Sequence, residues 1–65
     1  MNMQQAVAKV IAGEDLSGSE MADVMALIMT GEATQAQIGG FLVGLRIKGE
    51  TVTEITAAAK VMRQL

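Results

Sequence analysis

The sequence predicts an all-α domain of four short helices in a compact orthogonal or antiparallel bundle. Three observations carry that expectation. Gly13, Gly31 and Gly49 stand 18 residues apart, each followed by a glutamate and then by Ser17, Thr34 or Thr51, with Glu20, Gln37 or Glu54 three residues further on. That is a capping box written three times: the hydroxyl accepts an orphan amide of the first turn and the N3 side chain reaches back to the cap. A glycine just past a helix end supplies the left-handed stop before it. Between these marks the apolar residues recur at i, i+3, i+4 and i+7. The chain also contains no proline, and no segment alternates as a half-buried strand would. The glycine spacing is one helix plus a turn, shorter than known helical-repeat periods, so no solenoid is implied.

The elements fall at about 3–12, 18–30, 35–48 and 52–64, in a single domain over residues 1–65. The first helix groups Met3, Ala6, Val7, Val10 and Ile11 on one face, with Gln4, Gln5 and Lys9 opposite. In the second, Leu16 and Met21 have the spacing of a hydrophobic staple, and Met21, Val24, Met25 and Ile28 face inward. The third carries two stripes. Ile38, Phe41, Leu42 and Leu45 form one; Ala36, Gly40, Val43 and Ile47 form another. A helix apolar on two faces is buried or covered by something else, and the second stripe reads as a partner surface. Gly39, Gly40 and Gly44 each cost about 1 kcal/mol relative to alanine inside a helix, which is odd unless another backbone comes close. The fourth helix presents Val52, Ile55, Ala58, Ala59 and Met62, and its alanines leave room for a close neighbour, the glycines of the third helix being the expected one.

Composition excludes much chemistry. There is no cysteine and no histidine, so thiol catalysis, disulfides and the commonest zinc ligands are absent. Net charge is −2, and the five cations are scattered rather than clustered, which argues against nucleic acid as a partner. The longest apolar-or-glycine run, Ile38 to Leu45, is far short of the ~20 residues of a membrane span. Met1-Asn2-Met3-Gln4-Gln5 has no basic region before an apolar run, so the expected compartment is cytoplasmic. Glu20 and Asp23, spaced i, i+3, offer two oxygens to a metal, but solvated first-turn carboxylates at a helix dipole have the same pattern. Arg46 and Lys48 suit an anion or, more simply, the C-terminal dipole of their own helix. Serines and threonines have no base beside them, and Gly39-Gly40 sits inside a helical pattern without phosphate-loop spacing. No catalytic, cofactor-binding or metal residue is assigned; from the residues alone the chain reads as a small helical interaction domain.

TGEATQAQI at residues 30–38, with Phe41-Leu42, Leu45-Arg46, Lys48-Gly49-Glu50-Thr51, Glu54-Ile55 and Met62-Arg63, resembles the N-terminal helical domain of the anthranilate phosphoribosyltransferases, as does Gly13-Glu14-Asp15-Leu16-Ser17. The likeness covers residues 3–64. Pyrimidine nucleoside phosphorylases share a looser form of the motif, as do enzyme-like relatives that bind nucleic acid; the KGET string favours the first family. Gln35 departs from the proline common at that first helical position, at a small cost in pre-organisation. The resemblance implies a parent enzyme that transfers the phosphoribosyl group of phosphoribosyl pyrophosphate to anthranilate in tryptophan biosynthesis, using Mg²⁺. The glycine-rich loop and acidic metal ligands of that chemistry belong to a large α/β domain not contained in this sequence. The helical domain would pack on the large one across a hinge, border the substrate cleft and supply a homodimer interface from its first and third helices. The interface residues expected from stripe position are Met3, Val7, Val10, Ala36, Gly40, Val43 and Ile47. The alternative readings are the equivalent domain of a pyrimidine nucleoside phosphorylase or of a nucleic-acid-binding relative, and a free-standing helical adaptor.

Overall fold

A computed structural model describes residues 1–64 of the chain. Its elements are α1 (Met3–Ile11), α2 (Gly18–Met29), α3 (Gln35–Lys48) and α4 (Val52–Gln64). The expected ends of the first two helices are each one residue long: Ala12 and Thr30 are C-caps. The three hydroxyl boxes form. The Glu20, Gln37 and Glu54 amides donate to Ser17 Oγ, Thr34 Oγ1 and Thr51 Oγ1, each over 3.1 Å. A fourth box opens α1, where Asn2 Oδ1 accepts from the Gln5 amide at 2.8 Å and Gln5 Oε1 from the Asn2 amide at 3.0 Å. Its cap is an asparagine rather than a hydroxyl residue, so the pattern shared by the other three does not mark it.

The helix stops are of two kinds. After α1, the Gly13 amide donates to Val10 O and the Glu14 amide to Lys9 O; after α2, Gly31 and Glu32 repeat this on Ile28 and Leu27. Both are Schellman motifs with glycine at positive φ, 80° and 79°. Gly49, at φ 88°, instead closes α3 as its cap, with its amide on Leu45 O.

Helices pair by alternation: α1 lies along α3 and α2 along α4, with a smaller contact between α1 and α2, while α3 and α4 meet at most marginally. The expected packing of the α3 glycines on the α4 alanines is therefore corrected: Gly40 and Gly44 face α1, and Gly39 faces open space. The body measures 29 × 25 × 17 Å, and in so thin a dimension few residues have protein on every side. The core is Met3, Ala6 and Val10 of α1, Leu16 of the turn, Met21 and Val24 of α2, and Phe41 and Leu45 of α3.

Three faces differ from their sequence assignment. Ile11 is exposed, because α1 ends there. Leu42, expected inside with Phe41, is exposed. On α4, Val52, Ile55 and Met62 lie outside, and the inward stripe is Glu54, Ala57, Ala58 and Val61, the first of these fully buried. Glu54 must remain at N3 of its capping box, and its carboxylate is claimed by partners inside the domain, so the helix is rotated to bring it in.

Candidate functional site

The seam between α1 and α3 is built by glycine. A Cβ placed on Gly40 would meet Val7 Cγ1 at 3.7 Å, an ordinary contact; one on Gly44 would lie 2.5 Å from Val10 Cγ2 and 3.6 Å from the Ile11 amide nitrogen. Gly44 thus lets the two backbones approach, and the approach leaves a shallow apolar groove of about 350 Å³ lined by Ile11, Gly39, Gly40, Val43 and Ile47, floored by Val10 and Gly44. Beside it a second shallow depression runs over Gln4, Val7, Ala8, Ala36 and Gln37, sharing Ile11. Ile11 is 70% exposed, Val43 60% and Ile47 82%.

The seven residues expected at an interface separate into two groups. Met3 and Val10 are interior, 4% and 1% exposed, and belong to the domain's own core. Val7 and Gly40 are half-buried, and Ala36, Val43 and Ile47 are exposed, all five bordering the groove or the depression beside it. Ile11 joins them; its periodicity put it on the core face, and the glycine stop at Gly13 is the signal that this last turn lies beyond the core.

A second constellation was not legible as such. Lys48 Nζ donates to Glu54 Oε1 at 2.7 Å, to Asp15 Oδ1 at 3.0 Å and to Gly49 O at 3.0 Å. Glu54 also accepts from the Leu16 amide at 2.7 Å and the Thr51 amide at 2.8 Å. The side chains of Lys48 and Glu54 are 2% and 0% exposed. Burial by itself would push the Lys48 ammonium down; its bonds to Glu54 and Asp15 outweigh that and hold it above its ordinary value. Burial would likewise push Glu54 up, and the bonds from Lys48, Leu16 and Thr51 hold it below the ordinary carboxylate range. Lys48, expected as a dipole partner of its own helix, stands in the last turn of α3 as expected and is a buried ion-pair partner as well.

The remaining carboxylate pair is occupied by protein. Glu20 takes two bonds from Lys9 Nζ, 2.9 and 3.1 Å, and one from the Ser17 amide, and Asp23 takes the chain's terminal amine at 3.0 Å. The Ser17 amide first, then Lys9, hold the Glu20 carboxyl below its ordinary value. Among the described residues no group of three or more acidic side chains is arranged to hold a metal ion, and no helix is long and apolar enough to cross a membrane. Among the described residues the buried Lys48–Glu54 pair is turned to internal structure, and the α1–α3 groove is where apolar side chains stand exposed.

Known proteins agree with the fold. The chain is similar over all 65 residues to the anthranilate phosphoribosyltransferases of Alkalilimnicola ehrlichii (68% identical), Marinomonas sp. (66%) and Teredinibacter turnerae (63%). It spans 19% of the length of each of them. Residues 4–65 match the family described as the glycosyl transferase family, helical bundle domain, and the chain belongs to that family.

Proposed function

We propose that the chain serves as a non-catalytic helical dimerisation and cleft-forming domain of a cytoplasmic phosphoribosyltransferase that joins phosphoribosyl pyrophosphate to anthranilate. The names of its relatives support the reaction. The Mg²⁺ and the phosphate-binding loop of that chemistry would come from the large α/β domain, against which this one would pack. The observation that carries the interface role is the α1–α3 groove, where Ile11, Val43 and Ile47 stand exposed around half-buried Gly40. A second copy of the domain is the proposed occupant. At about 25 cal/mol per Å², covering even ~400 Å² of such surface is worth ~10 kcal/mol before association costs.

Light scattering with refractive-index detection tests this, since the chain has no Trp or Tyr. The expected result is a dimer that Val43→Glu or Ile47→Glu converts to a folded monomer. Both side chains lie outside the core, so the charge disturbs association and not folding. A monomeric wild-type chain from micromolar to millimolar concentration would refute the interface reading. The chain alone is expected to transfer no phosphoribosyl group, and measurable turnover would refute the non-catalytic one.

A further inference from the structure

The corner between α3 and α4 is held by polar contacts. The two helices make at most a marginal contact, although only three residues separate them. What joins them is polar and buried. Lys48, the last residue of α3, meets Glu54 in the first turn of α4, and Glu54 reaches on to the amide of Leu16 in the α1–α2 turn. Asp15 of that turn closes the circuit on Lys48 from the solvent side. All three ammonium protons of Lys48 and both Glu54 oxygens have partners inside the protein. Nothing in helix capping needs this: Thr51 and Glu54 already complete a box without Lys48 or Leu16.

We propose that Asp15, Lys48 and Glu54 form a clasp, a conformational device that fixes the α3–α4 corner and the α1–α2 turn to each other in place of helix packing, and that opens as one unit while the core around Phe41 stays folded. A buried ion pair suits such a device. It fixes direction and register where nonpolar contact would be tolerant of sliding, and losing one member leaves the other charge uncompensated. The Leu16 and Thr51 amides report the clasp directly, because each donates to Glu54. This inference is independent of the oligomeric state proposed above.

The test is native-state hydrogen exchange by NMR on the 65-residue chain in rising urea. Leu16 and Thr51 are expected to open together, with a urea dependence well below that of Phe41 and Leu45, because a local opening exposes less surface than global unfolding. In Glu54→Gln, which keeps the size of the side chain and removes its charge, these two amides are expected to lose about tenfold more protection than Phe41, the scale of a hydrogen bond to a charged group. Wild-type isotherms of Leu16 and Thr51 that coincide with those of Phe41 and Leu45 at every urea concentration would overturn the clasp, whether or not the variant folds. Equal loss of protection at all four amides in the variant would overturn it as well.

Discussion

The three glycines of α3 should respond to alanine in opposite directions, and the difference follows from what lies opposite each. In a helix interior, alanine is favoured over glycine by about 1 kcal/mol. Gly39 has no neighbouring atom within 4 Å of where its Cβ would sit, so Gly39→Ala should realise the whole gain. Gly40 would place its methyl 3.7 Å from Val7 Cγ1, a normal contact, and Gly40→Ala should gain a similar amount. At Gly44 the new Cβ would stand 2.5 Å from Val10 Cγ2 and 3.3 Å from Val10 Cβ. Val10 is buried and β-branched, so its χ1 is stiff, and its own Cβ is too near for rotation to clear the clash. Relief requires α1 to move off α3, and such overpacking costs about 1–3 kcal/mol, against which the ~1 kcal/mol of helix propensity is a partial offset. Thermal unfolding followed by far-ultraviolet circular dichroism, at a concentration where light scattering shows one species throughout, reads all three. At about 4–8 °C per kcal/mol for a domain this small, Gly39→Ala and Gly40→Ala should each raise the midpoint by that interval, and Gly44→Ala should lower it. A Gly44→Ala chain as stable as Gly39→Ala would mean that α1 and α3 do not approach as described. A destabilising Gly39→Ala in the monomer would be equally damaging, since it would put protein where the structure leaves space.

Other perturbations test the polar framework. Lys48→Met alone strands the Glu54 carboxylate and should cost about 3–5 kcal/mol, a large part of the ~3–10 kcal/mol expected for a domain of this size; urea denaturation measures it. The same pair sets the pH range. Glu54 has a folded pKa below its unfolded one, so its contribution is complete above the ordinary value of 4.5 and is lost as pH falls through the depressed folded value. Lys48 is shifted upward, so its contribution is complete below 10.5 and is lost as pH rises through the folded value. Urea midpoints should therefore be flat between these limits with respect to this pair, fall beyond both, and lose that part of the acid dependence in Glu54→Gln. Ser17→Ala and Thr34→Ala each remove the acceptor of a capping amide and should each cost about 1 kcal/mol in the same assay.

What could be read from the sequence was what depends on neighbours along the chain. The boxes at Ser17, Thr34 and Thr51 and the stops at Gly13, Gly31 and Gly49 are local, so the helices and their order followed from spacing alone. The staple pair Leu16 and Met21 is local too, and both side chains are buried. Pairing of the helices is not local. Gly40 and Gly44 of α3 fit Val7 and Val10 of α1, and complementarity of shape between residues 33 and 34 positions apart leaves no periodic mark. The rotation of α4 was hidden for a related reason. Val52, Ile55 and Met62 form a convincing apolar stripe, and nothing in the order of residues says that Glu54 outranks it. That follows only once Lys48 and the Leu16 amide are seen to converge on the Glu54 carboxylate.

The same rotation accounts for part of the chain's apolar composition. Apolar residues make up 51% of the chain and the mean hydropathy is +0.38, yet the fully buried apolar set has a single aromatic member, Phe41. The excess is on the outside: Ile11, Val43 and Ile47 around the α1–α3 groove, and Val52, Ile55 and Met62 along α4. Small domains are marginal because so much of their surface stays wet, and a chain selected only to fold alone would gain nothing from the eight large apolar side chains that the described residues leave in water, Met29 and Leu42 being the other two. Exposed apolar side chains grouped around a groove, as at α1–α3, are what the proposed association would cover. The core around Phe41 and the clasp at Glu54 hold the helices in an arrangement that turns these residues outward. Val43 and Ile47 lie outside the core, so Val43→Glu and Ile47→Glu should leave the folding of the monomer nearly untouched while abolishing the proposed dimer.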